Sequence, residues 1–439
     1  MRKCTITSVI LCLWVYCASY CQEPEPHSYC AHAQLVQQIQ KNYPDYSQHS
    51  EAFYQKALQS SQRNSYLRNE LETYIIPVVV HVLWQNSEEN ISEERIRQQI
   101  QVLNEDFQQN NVDTINLRPE FSGVAGNAMI AFELIDIIRV KTDTSFSFNF
   151  NWTTFEFDYP DHVKQSARGG SDPRDVNTYL NIWVCPIQSD RFLGYAYPPD
   201  GLEGWPEVFQ APDPNFDGVV INYKAFGRWL DPFIDDMGNE FTLKGRVATH
   251  EVGHYLGLRH PWGDPSIDTP GCQVDDGLAD TPNAARSSIF TCDPTQNTCE
   301  EGRDNLPDMI ENFMDHSPDD CKHLFTTEQV ALMRYVLRNH RSLLRIKNIP
   351  IEKKEEVLVY PNPSSGFVNV FVNPKVDLTY DITIRSPSES KVLAPIQSNL
   401  YNQNDNYRFD LREEPPGLYL IEFATNGRRV FTKRVVIVR

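Results

Sequence analysis

At 439 residues the chain exceeds what one ordinary hydrophobic core organises, so two or three folded units are expected. Hydrophobic residues at 40% and aromatics at 11% exclude a disordered chain, and a charged fraction of 23% is ordinary for a soluble protein. A formal charge of −19 argues against nucleic acid, whose phosphates need clustered Lys and Arg, and agrees in sign with basic substrates.

Met1-Arg2-Lys3 precedes an uncharged, mostly apolar stretch from Thr5 to Ala18 that is too short to span a bilayer. This predicts a secretory signal peptide over 1–21, with Ser19 and Cys21 at the small-residue positions before a cut at Gln22. Four of the ten cysteines fall in this leader, which leaves Cys30, Cys185, Cys272, Cys292, Cys299 and Cys321 in a compartment that permits disulfides. From Ser28 to about Tyr66 the chain is polar and helical in pattern. It holds too few apolar residues for a core of its own and is expected to lean on another unit.

Tyr74 to Trp84 reads as a strand rich in β-branched residues. Ser92 then caps a helix with Glu93 and Glu94 in its first turn, and Ile96, Ile100, Leu103 and Phe107 recur on one face. Further strands are predicted at Leu180 to Cys185 and Gly218 to Ile221, giving a mixed α/β layer. Residues 261–320 are dense in Asp, Pro, Gly and Cys, which predicts irregular chain held by cross-links or ions. A last helix is predicted from Thr327 to Leu344. Residues 347–356 read as a charged linker. Beyond it, short β runs at 367–372, 380–384, 418–423 and 430–438 predict a small all-β sandwich over 357–439. No internal repeats are visible.

The segment from His250 to His260 reads His-Glu-Val-Gly-His-Tyr-Leu-Gly-Leu-Arg-His. On a helix, His250 and His254 lie four apart and point to one side, so two imidazoles can share a cation. Glu251 lies between them, where a carboxylate can take a proton from an attacking water. Gly257 permits a sharp turn at positive φ, which brings His260 round as a third ligand. Three neutral histidines leave one tetrahedral position open, as in a catalytic rather than a structural zinc site. The expected cofactor is one Zn2+.

The eleven-residue pattern is that of the metzincins, and within them the chain closely resembles the pappalysins. The resemblance runs over residues 28–345 through 245–249, Trp262-Gly263-Asp264, Asp275-Asp276-Gly277-Leu278-Ala279-Asp280-Thr281-Pro282 and Asn312-Phe313-Met314-Asp315. It implies an α/β (α+β) metzincin-like catalytic domain over 69–346 with a mixed twisted sheet and active-site helix. It also implies that Met314 forms the turn beneath the metal. Where the family has a Tyr that assists the oxyanion, this chain has His316, which can still donate a hydrogen bond. Asp275, Asp276 and Thr281 offer hard oxygens, and the resemblance points to structural Ca2+ there; a solvated acidic turn is the plainer alternative. The pairing it implies is Cys272 with Cys299 and Cys292 with Cys321, one of three connectivities open to four cysteines. It further implies cleavage before basic side chains.

Residues 357–439 resemble the sorting domain of bacterial type IX secretion cargo, through Val359-Tyr360-Pro361-Asn362-Pro363, Pro416-Gly417-Leu418-Tyr419 and the terminal Lys433 to Ile437. A carbohydrate- or protein-binding sandwich is the alternative. Export through the periplasm, to the medium or the outer cell surface, follows from this resemblance, with the secretion machinery as partner and a monomer as the expected state.

Residues 22–68 are expected to form a pro-segment that keeps the enzyme latent, with Cys30 as a fourth zinc ligand in the manner of a cysteine switch. Cys30 stands in a polar context, whereas Cys185 falls in a predicted buried strand. A disulfide between the two is the alternative, and Ala31-His32 replaces the family's usual Gly-Thr after the cysteine. Activation would need a cut near Arg63 or Arg68. Two readings of the whole remain: an endopeptidase acting on protein substrates, favoured by Glu251, and a binding protein that kept the metal without turnover, kept open by His316.

Overall fold

The computed structural model describes residues 30–42, 45–65, 73–151, 156–189, 192–199, 213–229, 233–234, 240–264, 271–288, 292–300, 302, 305–344, 357–360, 362–372, 381–385, 392–393, 406–425 and 428–438. The predicted signal peptide, the linker, and Arg68 lie outside these residues. The chain divides into two compact units, one reaching Lys347 and the other beginning at Asn348.

In the first unit, β1 (Tyr74–Trp84) lies inside a five-stranded sheet with β2 (Ile130–Lys141), β3 (Leu180–Cys185), β4 (Gly194–Ala196) and β5 (Val219–Asn222). Their order is β2-β1-β3-β5-β4. The first four run parallel, and β4 closes one edge antiparallel to β5. Parallel strands need both faces covered, and the side chains divide accordingly. Ile76, Val78, Val80 and Val82 of β1, with Ile182 of β3 and Ile221 of β5, join the larger core; Leu83, Trp183 and Val220 face a second one.

The larger core is covered by helices. Ile96, Ile100, Leu103 and Phe107 enter it from α3 (Glu93–Phe107), whose N-cap Ser92 accepts from the Arg95 N–H. Val247, Val252 and Tyr255 enter from α4 (Arg246–Tyr255), and Leu332, Met333 and Val336 from α5 (Thr327–Asn339). The helix predicted to run to Leu344 stops at Asn339 and continues after a break as a short 3-10 turn, Ser342–Leu344. The polar N-terminal stretch forms α1 (His32–Asn42) and α2 (Tyr46–Ser65). Phe53, Tyr54 and Ala57 of α2 insert into the larger core, while Ala31, Leu35 and Val36 join the second. Cys30, placed by its neighbours in a polar context, is buried as well.

Sequence patterning overlooked β2. It carries Glu133, Asp136, Arg139 and Lys141 along an outer strand, where charge guards the free edge and breaks the apolar run.

The second unit comprises β6 (Val357–Tyr360), β7 (Phe367–Val372), β8 (Asp381–Arg385), β9 (Val392–Leu393), β10 (Asn406–Asp410), β11 (Gly417–Thr425) and β12 (Arg428–Ile437). They form a three-stranded sheet, β6-β7-β10, and a four-stranded sheet, β9-β8-β11-β12. One core, including Val368, Val370, Ile384, Phe409, Ile421 and Val435, is drawn from both sheets, as in a β-sandwich. Sequence patterning had not marked β6 and β10 as strands.

Candidate metal centre

The N-terminus of α4 is fixed from a distance. Asp319 Oδ2 accepts from the backbone N–H of Lys244 and Arg246, and the Arg246 side chain is buried against Asp113 at 2.6 Å. Thr249 Oγ1 donates to Asp106 at 2.8 Å. At the other end Gly257 adopts φ 93°, a conformation that strains any residue bearing a Cβ. Its N–H donates to the His254 carbonyl at 2.8 Å and that of Leu258 to the Gly253 carbonyl at 3.0 Å, a Schellman closure. The chain thereby reverses and returns His260 to the face that carries His250 and His254. Under the helix, a Cβ on Gly253 would overlap the sulfur of Met314, so this close approach is open only to glycine.

The three imidazoles converge through one atom each. Nε2 of His254 lies 3.0 Å from that of His250 and 3.1 Å from that of His260, and the last two are 3.2 Å apart. Each Nδ1 faces an acceptor: the Phe313 carbonyl at 2.8 Å for His250, the Leu258 carbonyl at 2.8 Å for His254, and Asp264 Oδ1 at 2.5 Å for His260. With the ring protons on Nδ1, the Nε2 lone pairs point at one another. Burial pushes the pKa of all three well below the usual histidine range, so they stay neutral. Three lone pairs directed at one point are repulsive unless a cation sits between them. This donor set suits zinc.

Cys30 completes the group. Its sulfur and the three ring nitrogens all lie within 4.8 Å of one another, the one such cluster among the described residues. Burial, with the Glu251 carboxylate second, pushes its thiol well above the usual range, so a thiolate there requires a neighbouring positive charge. The backbone at Cys30 forms a parallel bridge with Gly194 of β4, Ala31 N–H donates to the Gly194 carbonyl at 3.2 Å, and Tyr159 Oη donates to the Ala31 carbonyl at 2.7 Å. Cys30 and Cys185 each keep a thiol, so no disulfide joins them.

Burial pushes the Glu251 carboxyl up to about 8, against the opposing pull of Cys30 and Lys322. His316 brings Nε2 to 3.2 Å from that of His260 and sets its ring 4.8 Å from Trp262. Two contacts escaped sequence reasoning. The His32 ring stacks on His254 at 3.8 Å, and the Trp262 ring on His260 at 4.3 Å. His32 lies two residues after Cys30 and Trp262 two residues after His260, and that proximity is the signal the sequence holds for each.

Cys272 is bonded to Cys299 and Cys292 to Cys321, each pair with Cα atoms 5.7 Å apart. In the acidic loop Asp275 is exposed and accepts from the Gly277 N–H. Asp276 Oδ2, Asp280 Oδ1 and Thr281 Oγ1 are buried without a hydrogen-bond partner of ordinary geometry among the described residues.

Comparison with known proteins agrees with this geometry. Residues 231–338 match the family model described as pregnancy-associated plasma protein-A, and residues 358–438 match that of a secretion system C-terminal sorting domain. An extracellular metalloprotease of Arthroderma benhamiae is 26% identical over 65% of this chain and 80% of its own length. Mature mirolysin of Tannerella forsythia, solved with a cleaved peptide, is 39% identical, covering 63% of this chain and 96% of that one at TM-score 0.51. A promirolysin variant from the same organism is 36% identical over 72% of this chain and 97% of that one, at TM-score 0.55.

Proposed function

Because the chain belongs to the pappalysin family of metzincin metallopeptidases, we propose that His250, His254 and His260 hold one zinc ion, that Cys30 caps it in the latent form, and that Glu251 is the general base. The chain is a secreted metalloendopeptidase made as a zymogen, with protein substrates and a C-terminal sorting domain that directs it out of the cell or to its surface.

The convergence of three buried Nε2 atoms with the Cys30 sulfur is the observation that carries this reading. Zinc bound there supplies a Lewis acid that polarises the scissile carbonyl. Glu251 holds the attacking water, accepts its proton and passes it to the leaving amine. His316 donates a hydrogen bond to the developing oxyanion. Met314 supports the helix from below, and Gly257 aims His260. The edge of β4 now paired with Cys30 becomes open to an extended substrate chain once the pro-segment leaves.

The pro-segment spans 22–68 and is removed by a cut near Arg63 or Arg68. The catalytic domain runs over 69–346, and the linker 347–356 leads to the sorting domain at 357–439, which engages the type IX machinery. The orphaned oxygens of Asp276, Asp280 and Thr281 support a structural calcium ion in the acidic loop, with Asp275 as an outer ligand. The mature enzyme works as a monomer.

The test is Glu251→Ala. Turnover of a denatured protein should disappear while the folded variant still carries one zinc per chain by elemental analysis. Loss of zinc would make Glu251 a ligand instead. In the wild type, chelator-insensitive cleavage would overturn the metal mechanism, and zinc binding without any cleavage would favour the binding-protein reading.

A further inference from the structure

One residue of the N-terminal segment is held from two sides beside the metal centre. The Ala31 N–H donates to the Gly194 carbonyl of β4 at 3.2 Å, and the Ala31 carbonyl accepts from Tyr159 Oη at 2.7 Å. Ala31 follows Cys30, whose sulfur lies within 4.8 Å of the three converging ring nitrogens. β4 in turn lies against Glu251: a Cβ added to Gly194 would stand 2.9 Å from Glu251 Cγ. The Tyr159 hydroxyl therefore touches the chain where that chain crosses the reaction centre.

The position of this hydroxyl does not depend on Ala31. The Tyr159 ring meets Tyr195, the β4 residue after Gly194, at 5.2 Å and Phe148 at 5.4 Å. Its backbone carbonyl accepts from the Asp161 N–H at 2.7 Å, and the Asp161 carboxylate accepts from Tyr195 Oη at 2.9 Å. These partners all lie outside residues 22–68, so the ring stays fixed to β4 when the pro-segment leaves. Nor does Ala31 depend on the hydroxyl, because its carbonyl also accepts from the Leu35 N–H at 3.2 Å as α1 begins.

Departure of the pro-segment frees an acceptor, the Gly194 carbonyl, together with a donor, the Tyr159 hydroxyl. An extended peptide offers the complement to both in its own N–H and carbonyl groups. We infer that Tyr159 is a substrate-binding residue of the mature enzyme, its hydroxyl donating to a backbone carbonyl of the peptide that replaces the pro-segment. The inference rests on the peptidase reading above. Because the acceptor is main chain, the contact serves any extended peptide and leaves side-chain preference to other residues. It is made in the ground state and the transition state alike, so it lowers KM and leaves kcat alone.

The experiment uses the full chain, zinc-loaded and activated, with one parent peptide and a series in which each backbone amide except the scissile one becomes a thioamide, a poorer acceptor. In the wild type at least one replacement should raise KM by about two- to tenfold, the worth of one hydrogen bond. Tyr159→Phe keeps the ring and its packing and removes only the oxygen. It should raise KM for the parent peptide by a similar factor with little change in kcat, and the thioamide that weakened wild-type binding should cost it nothing further. A wild type indifferent to every thioamide overturns the inference without any variant having to fold. So does a Tyr159→Phe enzyme with unchanged KM, or one that keeps the full thioamide penalty; the hydroxyl then serves the pro-segment alone. Failure of the zinc-loaded, activated wild type to cut the parent peptide overturns the peptidase reading, and this inference with it.

Discussion

His316 approaches the ring of His260 edge-on, and its Nε2 comes as close to that of His260 as the three converging imidazole nitrogens come to one another. Burial pushes its pKa well below the usual histidine range, so it stays a neutral ring able to donate one hydrogen bond. If that bond forms chiefly in the transition state, His316→Phe should lower kcat by roughly 100-fold with little change in KM. His316→Tyr, which restores an oxygen donor, should keep or raise activity. Steady-state kinetics of the two variants decide the matter, and a His316→Phe enzyme equal to wild type would remove the assignment. Residues at this scale differ in legibility for a simple reason. His250, Glu251, His254, Gly257 and His260 belong to one local run, so helical spacing alone brought them together. The His32 ring reaches His254 only across the fold, and the stacking of Trp262 on His260 depends on the turn after the helix, so helical spacing announces neither contact.

Among the elements, the short strand β4 borders the reaction centre and pairs with the N-terminal segment that enters it at Cys30. Its outer edge is covered by the chain at Cys30, and Tyr195 and Tyr197, within and just after it, both donate to Asp161, whose carboxylate also pairs with the buried Lys164 at 2.9 Å. A rigid strand of this kind can exchange one extended partner for another. Full-length protein should therefore be latent while Cys30→Ala is active without cleavage of the chain, when both are assayed under conditions that block autolysis. Equal latency in the two would place the block elsewhere in residues 22–68. Strands β1 and β3 and helix α3 were readable because their apolar residues keep an uninterrupted period and Ser92 marks a cap. The charged edge strand β2 and the three-residue β4 were not, since each owes its pairing to neighbours far along the chain.

At the scale of the molecule, the residues up to Lys347 share a core to which the N-terminal helices contribute real substance. Phe53 lies against Tyr335 and His340, Tyr54 Oη donates to the Gly257 carbonyl at 2.6 Å, and Ala57 is fully buried. The prediction of a polar appendage leaning on another unit foresaw the dependence; it did not foresee that the dependence runs both ways. If activation removes residues 22–68 as proposed, part of this core leaves with them, which would pose a folding problem separate from latency. Chain beginning at residue 69 should refold from denaturant more slowly than chain beginning at residue 22, and a peptide covering 46–65 added in trans should recover part of the lost rate, both followed by tryptophan fluorescence. Equal refolding rates would show that α2 only covers the surface. With the expected outcome, the activating cut is irreversible in a second sense. The mature protease, once unfolded, would lack the segment that speeds its return to the native state, so its working life would be set by the rate of unfolding and not by an equilibrium.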